Sequence, residues 1–274
     1  MAGGVMKKIG FIGAGNMAGA LVKGLIVAGR YKATDIWVSD AAESQVRRLK
    51  RAYKVEGTRN NRDLVRGSQT IVLAVKPQVM AQVLDEIRPE ATPKKLFVSI
   101  AAGFPLRRIE LGLGGGARAV RVMPNTPCLV GKGMSVAVAG AHATPADLKQ
   151  TLRLFSACGE AVSITGEDLL DAVTALSGSG PAFIYAFAEA LIEGGVRGGL
   201  SQQLATKLCF QTIVGAAAML VESGMSAKEL REMVTSPGGT TLAGLNALDQ
   251  HQFRDTVIAA VDAANRRARE LASS

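Results

Sequence analysis

The stretch Lys8–Gly19, with the sequence KIGFIGAGNMAG, decides how the first part of this chain folds. A short apolar run comes first, the glycines follow at once, and an amphipathic helical pattern continues over Ala20–Ala28. This order predicts a strand, a tight turn and a helix. Within the turn, the spacing Gly13-x-Gly15-x-x-Ala18 is a dinucleotide-binding fingerprint, because glycines admit a pyrophosphate to the backbone and a small third residue lets the helix pack on the strand.

The next segments alternate between strand and helix patterns. Helical periodicity lies at Ser44–Tyr53 and Val79–Ile87. The predicted strands are Lys8–Ile12, Ile36–Ser39, Thr70–Val75, Leu96–Ile100, Ala119–Met123 and Met134–Ala139, with a weaker one at Glu160–Ile164. Such alternation predicts an α/β, Rossmann-like domain built on a parallel, doubly wound sheet, and the weaker strand would extend the edge of that sheet.

From Asp168 onward only helical periodicity remains. The predicted helices are Pro181–Glu193, Ser201–Ser223, Ser226–Thr235 and Thr240–Glu270, with breaks at Gly178–Gly180, Gly194–Gly199 and Ser236–Gly239. We therefore expect a Rossmann-like domain over residues 1–165 and an all-helical domain over residues 166–274. The long apolar helix faces predict subunit pairing through the second domain, with an internal core as the alternative.

The charge of the chain does not point to a nucleic-acid partner. Lysine and arginine number 32 against 23 acidic residues, a formal net charge of +9, but the basic residues are scattered. One modest cluster, at Arg47, Arg48, Lys50 and Arg51, has no interleaved aromatic residues on which bases would stack. We interpret it as a solvated helix face and expect no nucleic-acid binding.

The cysteines and histidines do not have the spacing of metal ligands. Cys128, Cys158 and Cys209 form no CxxC motif, and the two histidines, His142 and His251, are far apart. We predict no metal site, and buried reduced thiols that suit a reducing cytosol.

No targeting or membrane segment is evident in the sequence. Met1–Lys8 lacks the charged and apolar regions of a signal peptide, and no segment has about twenty uninterrupted apolar residues. We expect a cytoplasmic protein without a membrane partner.

The form of the dinucleotide depends on the end of the second strand. Asp40 stands where an acidic side chain accepts the 2'-hydroxyl of NAD and repels the 2'-phosphate of NADP. Alternatively, Asp40 only caps the following helix. Ser39 could bind a phosphate, and Arg47 or Arg48 could turn toward it, so both NADP and NAD stay open as cofactors, although Asp40 by itself favours NAD.

The third and fourth strands end at the same edge of the predicted sheet. Ala74–Pro77 is a candidate to border the nicotinamide ribose, and Ser99–Gly103 lies in the same line. Pro77 has an equally good structural explanation as the first residue of a helix.

Five motifs, in order along nearly the whole chain, resemble those of the Δ1-pyrroline-5-carboxylate reductases. They are Gly13–Ala18 (GAGNMA), Ala74–Pro77 (AVKP), Met123–Pro127 (MPNTP), Leu176–Ala182 (LSGSGPA) and Val234–Leu245 (VTSPGGTTLAGL). The last is the most specific, because a long glycine and hydroxyl loop that opens a helix is not a general feature of dinucleotide-binding folds.

The resemblance implies reduction of a small cyclic imino acid, Δ1-pyrroline-5-carboxylate, to L-proline by hydride from NADH or NADPH, the last step of proline biosynthesis. Because the imine is activated as an iminium, the protein needs mainly to orient two ligands and stabilise one anion. The resemblance also implies a homodimer with interlocked helices that assembles into a larger homo-oligomer. If a partner completes the cleft, dimerisation and activity would be coupled.

The resemblance assigns residues to both ligands. Ser236, Gly239 and Thr240 would bind the substrate carboxylate, and Thr241 would bind the ring nitrogen and help to pass a proton. A simple helix N-cap is the alternative for this loop. The cofactor-binding residues would be Gly13, Ala14, Gly15, Asn16, Met17, Ala18, Ser39, Asp40, Asn61, Ala74, Val75, Lys76, Pro77 and Ala102.

Two further loops lie near the predicted cleft. Ser177–Pro181 would cap a helix or line the substrate side of the cleft, and we favour the structural role. Asn125 and Thr126 suggest a shaped loop near the cleft.

Many relatives carry a hydroxyl or basic residue near Asp40 and favour NADPH, so Asp40 is where this sequence departs from the family pattern.

Two other classes of protein compete with this interpretation. Another imine reductase or a β-hydroxyacid dehydrogenase also joins a Rossmann half to a helical half, but it would present a lysine near the nicotinamide as acid or base, whereas the loop at Ser236–Thr241 carries hydroxyls. A non-catalytic dinucleotide sensor would keep the glycine turn and have no need of that loop.

Overall fold

The computed structural model describes residues 7–273 and divides into two compact units. The first contains the described residues up to Ser179 together with those from Ala264 onward, and the second contains Gly180–Ala263. The helical segment between the expected boundary at Gly166 and Ser179 is grouped with the first unit.

The first unit contains an eight-stranded sheet in the order β3-β2-β1-β4-β5-β6-β7-β8. The strands are β1 Lys7–Ile12, β2 Ile36–Ser39, β3 Glu56–Thr58, β4 Ser68–Leu73, β5 Leu96–Ser99, β6 Arg118–Pro124, β7 Gly133–Ala139 and β8 Gly159–Ser163. Every neighbouring pair is parallel except β6 with β7. The predicted doubly wound α/β fold is confirmed, and β8 is the predicted edge strand.

The antiparallel pair was not predicted, and its cause is the short connection between β6 and β7. This connection holds only a 3-10 turn at Thr126–Val130, and a parallel return to the sheet needs a crossover of a dozen or more residues.

Seven helices of the first unit connect or flank these strands. They are α1 Asn16–Val27, α2 Glu43–Tyr53, α3 Asn61–Arg66, α4 Pro77–Ile87, α5 Leu106–Gly112, α6 Pro145–Phe155 and α7 Leu169–Val173. The predictions for α1, α2 and α4 are confirmed within a few residues. β3, α3, α5 and α6 were missed, although Thr144 and Asp147 form a capping box at the start of α6 that the sequence displays.

Both faces of the sheet are buried, which fixes the strands that carry the glycine turn. Along β4, Val72 packs on one side, and Ile71 and Leu73 pack on the other; all three have no exposed surface. Along β1, Phe11 and Ile12 divide in the same way. In a parallel sheet that is covered on both faces, each strand is a continuous apolar run in the sequence. Polar residues therefore gather at the ends of the strands.

The second unit is helical. Its helices are α8 Gly180–Arg197, α9 Gln202–Glu222, α10 Ala227–Met233, α11 Thr240–Gln250 and the first part of α12 Phe253–Ser273. The predicted single helix Thr240–Glu270 is wrong, because the chain breaks at Gln252, which has a left-handed φ of 53°. Neither glycine nor proline marks this break in the sequence.

Two predicted breaks around α8 also need correction. At Gly178–Gly180 the helix does not stop: a π-helical turn at Thr174–Gly178 joins α7 to α8 in one helical run, Leu169–Arg197. The break expected from Gly194 begins later, since α8 continues to Arg197 and the chain turns at Gly199, where φ is 94°.

Much of the apolar surface in the second unit is exposed in the single chain. The helical runs Leu169–Arg197 and Gln202–Glu222 are long and apolar enough to cross a membrane by length and composition, which is weak evidence by itself. The exposed apolar residues of the second unit include Ile184, Tyr185, Leu204, Leu208, Phe210, Val214 and Val221. Exposed apolar side chains in this number indicate an interaction site.

Candidate functional site

The glycine turn is held where β1, β2 and β4 end. The Gly13 N–H donates to the Ser39 carbonyl at 2.8 Å, and the Ala74 N–H donates to the Ile12 carbonyl at 2.7 Å. Gly13 has a φ of 98°, and a Cβ there would clash with the Ala74 carbonyl oxygen. Only glycine fits this position.

Beyond the turn, α1 opens toward free space. Its N-cap residue is Gly15, without a side-chain cap, and its first turn has no acidic residue. A Cβ on Gly15 would meet no atom within 4 Å. Asn16 is exposed, Met17 is half-buried, and Ala18 is buried. An uncapped helix N-terminus offers unpaired N–H groups to an anion such as a pyrophosphate.

A cavity of about 370 Å³ lies beside this turn. Its lining residues are Ile12, Gly13, Gly15, Asp40, Ala41, Asn61, Ala74, Val75, Lys76, Val79, Gln82, Val83 and Glu86. Seven of the predicted cofactor-binding residues are therefore brought together. The α4 residues Gln82 and Glu86 were missed, although they share a helix face with Val79 and Val83, which the spacing of three and four residues could have indicated.

The remaining predicted residues lie outside this lining. Ala14 and Ser39 have no exposed surface, so they could affect a ligand only through a neighbouring residue. Pro77 and Ala102 border a second cavity of about 350 Å³ together with Phe104, Arg108 and other residues. Pro77 is also the first residue of α4, as its structural explanation predicted.

The Asp40 carboxylate bridges two backbone segments. Its Oδ2 accepts from the Ala14 N–H and its Oδ1 accepts from the Ala42 N–H, each at 2.8 Å. The N-cap of α2 is Ala42, without a side-chain cap bond. Asp40 is therefore not the cap residue of α2; it ties the glycine turn to the start of that helix while still lining the cavity.

A chain of hydrogen bonds crosses the site from β2 to α4. The Ser39 hydroxyl donates to Asn61 Oδ1 at 2.7 Å, and Asn61 Nδ2 donates to Glu86 Oε2 at 2.8 Å. Asn61 is the first residue of α3. Both ends of its amide are therefore assigned, and Glu86 holds its nitrogen side.

The two arginines considered as phosphate ligands have other partners. Arg48 Nη2 donates to the Ala14 carbonyl at 2.8 Å, and Arg48 Nε donates to Gln45. Arg47 forms an ion pair with Glu43 at 2.7 Å. Arg48 thus holds the same residue of the turn that Asp40 holds.

The loop that follows β6 contacts the π-helical turn. Asn125 Nδ2 donates to the carbonyl and the hydroxyl of Ser177, at 3.2 and 3.3 Å, and Asn125 Oδ1 accepts from the Met134 N–H at 2.8 Å. These bonds fix the loop and agree with the structural role favoured for the Ser177 segment.

In the second unit, the loop before α11 leaves its polar groups available. The N-cap of α11 is Gly239, without a side-chain cap, and Gly238 has a φ of 71°. The exposed hydroxyls of Ser236, Thr240 and Thr241 make no hydrogen bond with any other part of the chain that the structure describes. The alternative that these hydroxyls simply cap the helix is wrong.

The thiols are not arranged for chemistry. Burial raises the pKa of Cys128, and burial together with the neighbouring Cys128 raises the pKa of Cys158 to about 12. Cys209 is buried as well. Thiolates at neutral pH are therefore disfavoured at Cys128 and Cys158. Over residues 7–273, no cluster of three or more potential metal-ligating His, Cys, Asp or Glu side chains occurs.

The doubly wound sheet, the glycine turn with its uncapped helix and the cavity at the strand ends together define a dinucleotide-binding oxidoreductase with a helical C-terminal region. Two family models match the chain: an NADP oxidoreductase, coenzyme F420-dependent, at residues 8–103, and the pyrroline-5-carboxylate reductase dimerisation domain at residues 167–271.

Individual relatives agree with the second model. A pyrroline-5-carboxylate reductase from Methanosarcina acetivorans is 45% identical over 97% of this chain and 98% of its own length. The solved pyrroline-5-carboxylate reductase from Coxiella burnetii is 36% identical with a TM-score of 0.92, covering 98% of this chain and 100% of its own. The Plasmodium falciparum enzyme, solved with NADP bound, is 35% identical with a TM-score of 0.87 and the same coverage. The chain belongs to the pyrroline-5-carboxylate reductase family.

Proposed function

We propose that this protein reduces Δ1-pyrroline-5-carboxylate to L-proline with NADH or NADPH, as the last step of proline biosynthesis. The observation that carries the proposal is the loop before α11. An uncapped helix N-terminus stands beside three exposed hydroxyls that the described chain does not use. These groups suit a small anion that also carries a polar ring nitrogen.

The reaction balances with two ligands and one proton. A hydride adds to the imine carbon, on the side of the ring nitrogen away from the carboxylate, and the nitrogen keeps a proton to become the amine of proline. The bound dinucleotide supplies this hydride. Because the iminium already withdraws electrons, the chain has to orient the ligands and does not need a strong base.

The residues of the loop divide between the two polar groups of the substrate. Ser236, the backbone at Gly239, and Thr240 bind the carboxylate. Thr241 binds the ring nitrogen through its hydroxyl and helps to hold or pass the proton. A Cβ at Gly239 would crowd the Ser236 hydroxyl, so a glycine there keeps that hydroxyl in place.

The dinucleotide lies at the glycine turn. Gly13 and Gly15 admit the pyrophosphate, and the N–H groups around Asn16 and Met17 bind it, with Ala18 buried behind them. The strand end Ala74–Pro77 and Ala102 border the nicotinamide side. Asp40 and Asn61 border the adenosine ribose, with Ser39 behind Asn61 as its hydrogen-bond partner.

The assembly follows from the exposed apolar helices of the second unit. We propose a homodimer that pairs through them, and a larger homo-oligomer built from such dimers, because apolar surface on this scale is unfavourable in water. We also propose a cytoplasmic location, with a small molecule as the partner of the site and neither nucleic acid nor membrane as a ligand.

The proposal is tested by comparing two imines in an assay of nicotinamide oxidation. Pyrroline-5-carboxylate should be reduced, whereas 1-pyrroline, which lacks the carboxylate, should show a kcat/KM lower by about 100-fold, since the charge-assisted bonds to the loop are lost. The double variant Ser236→Ala/Thr240→Ala should lower kcat/KM for the carboxylate substrate and leave that for 1-pyrroline unchanged. Equal rates for the two imines would contradict a carboxylate site.

A further inference from the structure

Two carboxylates line the cavity on the side that we assign to the adenosine ribose. Asp40 and Glu86 both line it, and among the residues that the structure describes Lys76 is the one basic side chain in the lining. Lys76 is the N-cap of α4, at the end of β4, on the side that we assign to the nicotinamide. A 2'-phosphate carries nearly two negative charges and no donor at neutral pH, whereas a ribose hydroxyl can donate to a carboxylate.

Asp40 cannot turn away from a ligand without loss. Its two oxygens accept separate backbone N–H groups, from Ala14 and Ala42, each at 2.8 Å. Charge-assisted bonds of this kind are about twice as strong as neutral ones. Each oxygen still has a free lone pair, so the carboxylate can accept a ribose hydroxyl while it stays fixed.

Glu86 is held in the same region by a side-chain hydrogen bond rather than by backbone N–H groups. Asn61 Nδ2 donates to Glu86 Oε2, and Asn61 Oδ1 is taken by the Ser39 hydroxyl. Rotating the amide would place its oxygen against the carboxylate. Ser39 is fully buried and its proton is used on Asn61, so Ser39 does not offer a donor to a phosphate.

The nearby cations on α2 are occupied elsewhere. Arg48 binds the Ala14 carbonyl, and Arg47 pairs with Glu43. A separate groove of about 560 Å³ contains Arg47 together with Lys50, Arg51 and Arg59, beside Thr58. If the chain preferred NADP, these cations would be the candidates to hold the 2'-phosphate.

We infer that this chain selects NAD(H) over NADP(H), and that Glu86 acts with Asp40 as a specificity-determining residue. The inference rests on the proposed function, because it names the hydride donor of that reaction. In dinucleotide-binding folds, the preference for NAD is generally ascribed to the acidic residue at the end of the second strand. Glu86 lies on α4 and is an additional residue.

The test is calorimetric titration of the intact protein with NAD⁺ and with NADP⁺, without imine. We expect NAD⁺ to bind at least about tenfold more tightly, from repulsion between the 2'-phosphate and the two carboxylates. Glu86→Gln keeps the shape and removes one charge, so it should tighten NADP⁺ binding about threefold and leave NAD⁺ binding nearly unchanged. Asp40→Ser should reduce the difference in affinity between NAD⁺ and NADP⁺ further. It should also weaken the binding of both dinucleotides, because the Asp40 carboxylate holds the glycine turn.

A matched control lies one residue away on the same helix. Asp85 is exposed and pairs with Arg88, so Asp85→Asn removes an equal charge outside the cavity and should leave the ratio unchanged. The inference is overturned if NADP⁺ binds more tightly, if Glu86→Gln and Asp85→Asn behave alike, or if Arg59→Ala selectively weakens NADP⁺. A protein that prefers NAD⁺ but reduces no pyrroline-5-carboxylate would refute the proposed function alone, and a reductase that prefers NADPH would refute only this inference.

Discussion

Lys95 is a buried cation that secures the chain below α3. Its ammonium donates to the carbonyl oxygens of Val65 at 2.6 Å and Ser68 at 2.7 Å, and more weakly to that of Arg66. Burial lowers the pKa of Lys95. Because α3 begins at Asn61, this contact at its other end also supports the residue that we place against the adenosine ribose.

Lys95→Met should lower the free energy of unfolding by about 1–3 kcal/mol, because it leaves buried carbonyl oxygens without a donor. Urea denaturation measures this change. Lys94→Met, at the exposed neighbouring position, should change stability by less than about 0.5 kcal/mol. Equal effects of the two substitutions would show that the carbonyl contacts of Lys95 contribute nothing.

Thr241→Ala should lower kcat about tenfold or more and leave the Kd for the dinucleotide unchanged, since its hydroxyl is assigned to the imine nitrogen. Thr241→Ser keeps the hydroxyl and should restore most of the rate. Steady-state kinetics at saturating dinucleotide, with a binding titration beside them, separates the two effects. Full turnover in the alanine variant would remove Thr241 from the reaction.

The sequence predicts the location of a residue well when the residue belongs to a motif. It predicts the location poorly when the residue only lines the same cavity as the motif. Gly13, Gly15, Asp40 and Asn61 were placed at the cavity because a strand end or a resemblance marked them. Glu86 was not, because its spacing puts it on the helix face of Val79 and Val83 but does not tell which part of the sheet that face meets. Its role depends on how α4 packs on the sheet.

Among the helices and strands, the long regular elements could be predicted, whereas the short elements and one helix break could not. The doubly wound sheet follows from the alternation of strand and helix patterns, but β3 has only three residues and α3 has six, too few for a period to be recognised. The break between α11 and α12 lies at Gln252, where helical periodicity continues through a residue with positive φ. Tertiary packing sets that break, and no local signal announces it.

Gln252→Gly should raise the free energy of unfolding by up to about 1 kcal/mol, because glycine adopts the left-handed conformation without the steric cost of a side chain. Thermal or urea denaturation tests it. Gln250→Gly, at the last residue of α11, is the control and should not stabilise. A loss of stability at position 252 would mean that the side chain of Gln252 contributes more than its backbone costs.

Glu90 links α3 to the chain that follows α4, and this link should depend on pH. Arg66 and Arg62 hydrogen-bond its carboxylate at 2.8 and 3.0 Å and thereby lower the pKa of Glu90. A carboxyl whose folded pKa is lowered contributes stability above its unfolded pKa and loses it as the pH falls through the folded value.

Glu90→Gln should therefore reduce the acid-side decline in the free energy of unfolding, below about pH 5, while lowering stability somewhat at neutral pH. Unfolding curves at several pH values compare the variant with the natural chain. Glu160→Gln, at an exposed position, should leave the pH dependence as it is. An unchanged slope in the Glu90 variant would show that the two arginines do not stabilise the charged form.

In the whole molecule, the dominant feature of the single chain is the apolar surface of the second unit, which is exposed to solvent. Val214, in the middle of α9, is 61% exposed, and Phe210 on the same helix is 56% exposed. Val27 in the first unit is 78% exposed and is the last residue of α1. The two valines therefore allow a matched comparison.

Val214→Glu should weaken subunit association by at least about tenfold, because a charge would have to be buried without a partner. Sedimentation velocity over a range of protein concentrations measures it, and catalytic turnover should fall together with the dimer. Val27→Glu should leave the association state unchanged. A Val214 variant that assembles normally would place the pairing surface elsewhere.

Hydride transfer to the imine carbon of pyrroline-5-carboxylate is tested most directly with NADH deuterated at nicotinamide C4 on the transferred side. We expect oxidation of the nicotinamide and L-proline with one deuterium on the ring carbon that was double-bonded to nitrogen. A folded protein that still binds the dinucleotide but yields no labelled proline, with either NADH or NADPH, would contradict it.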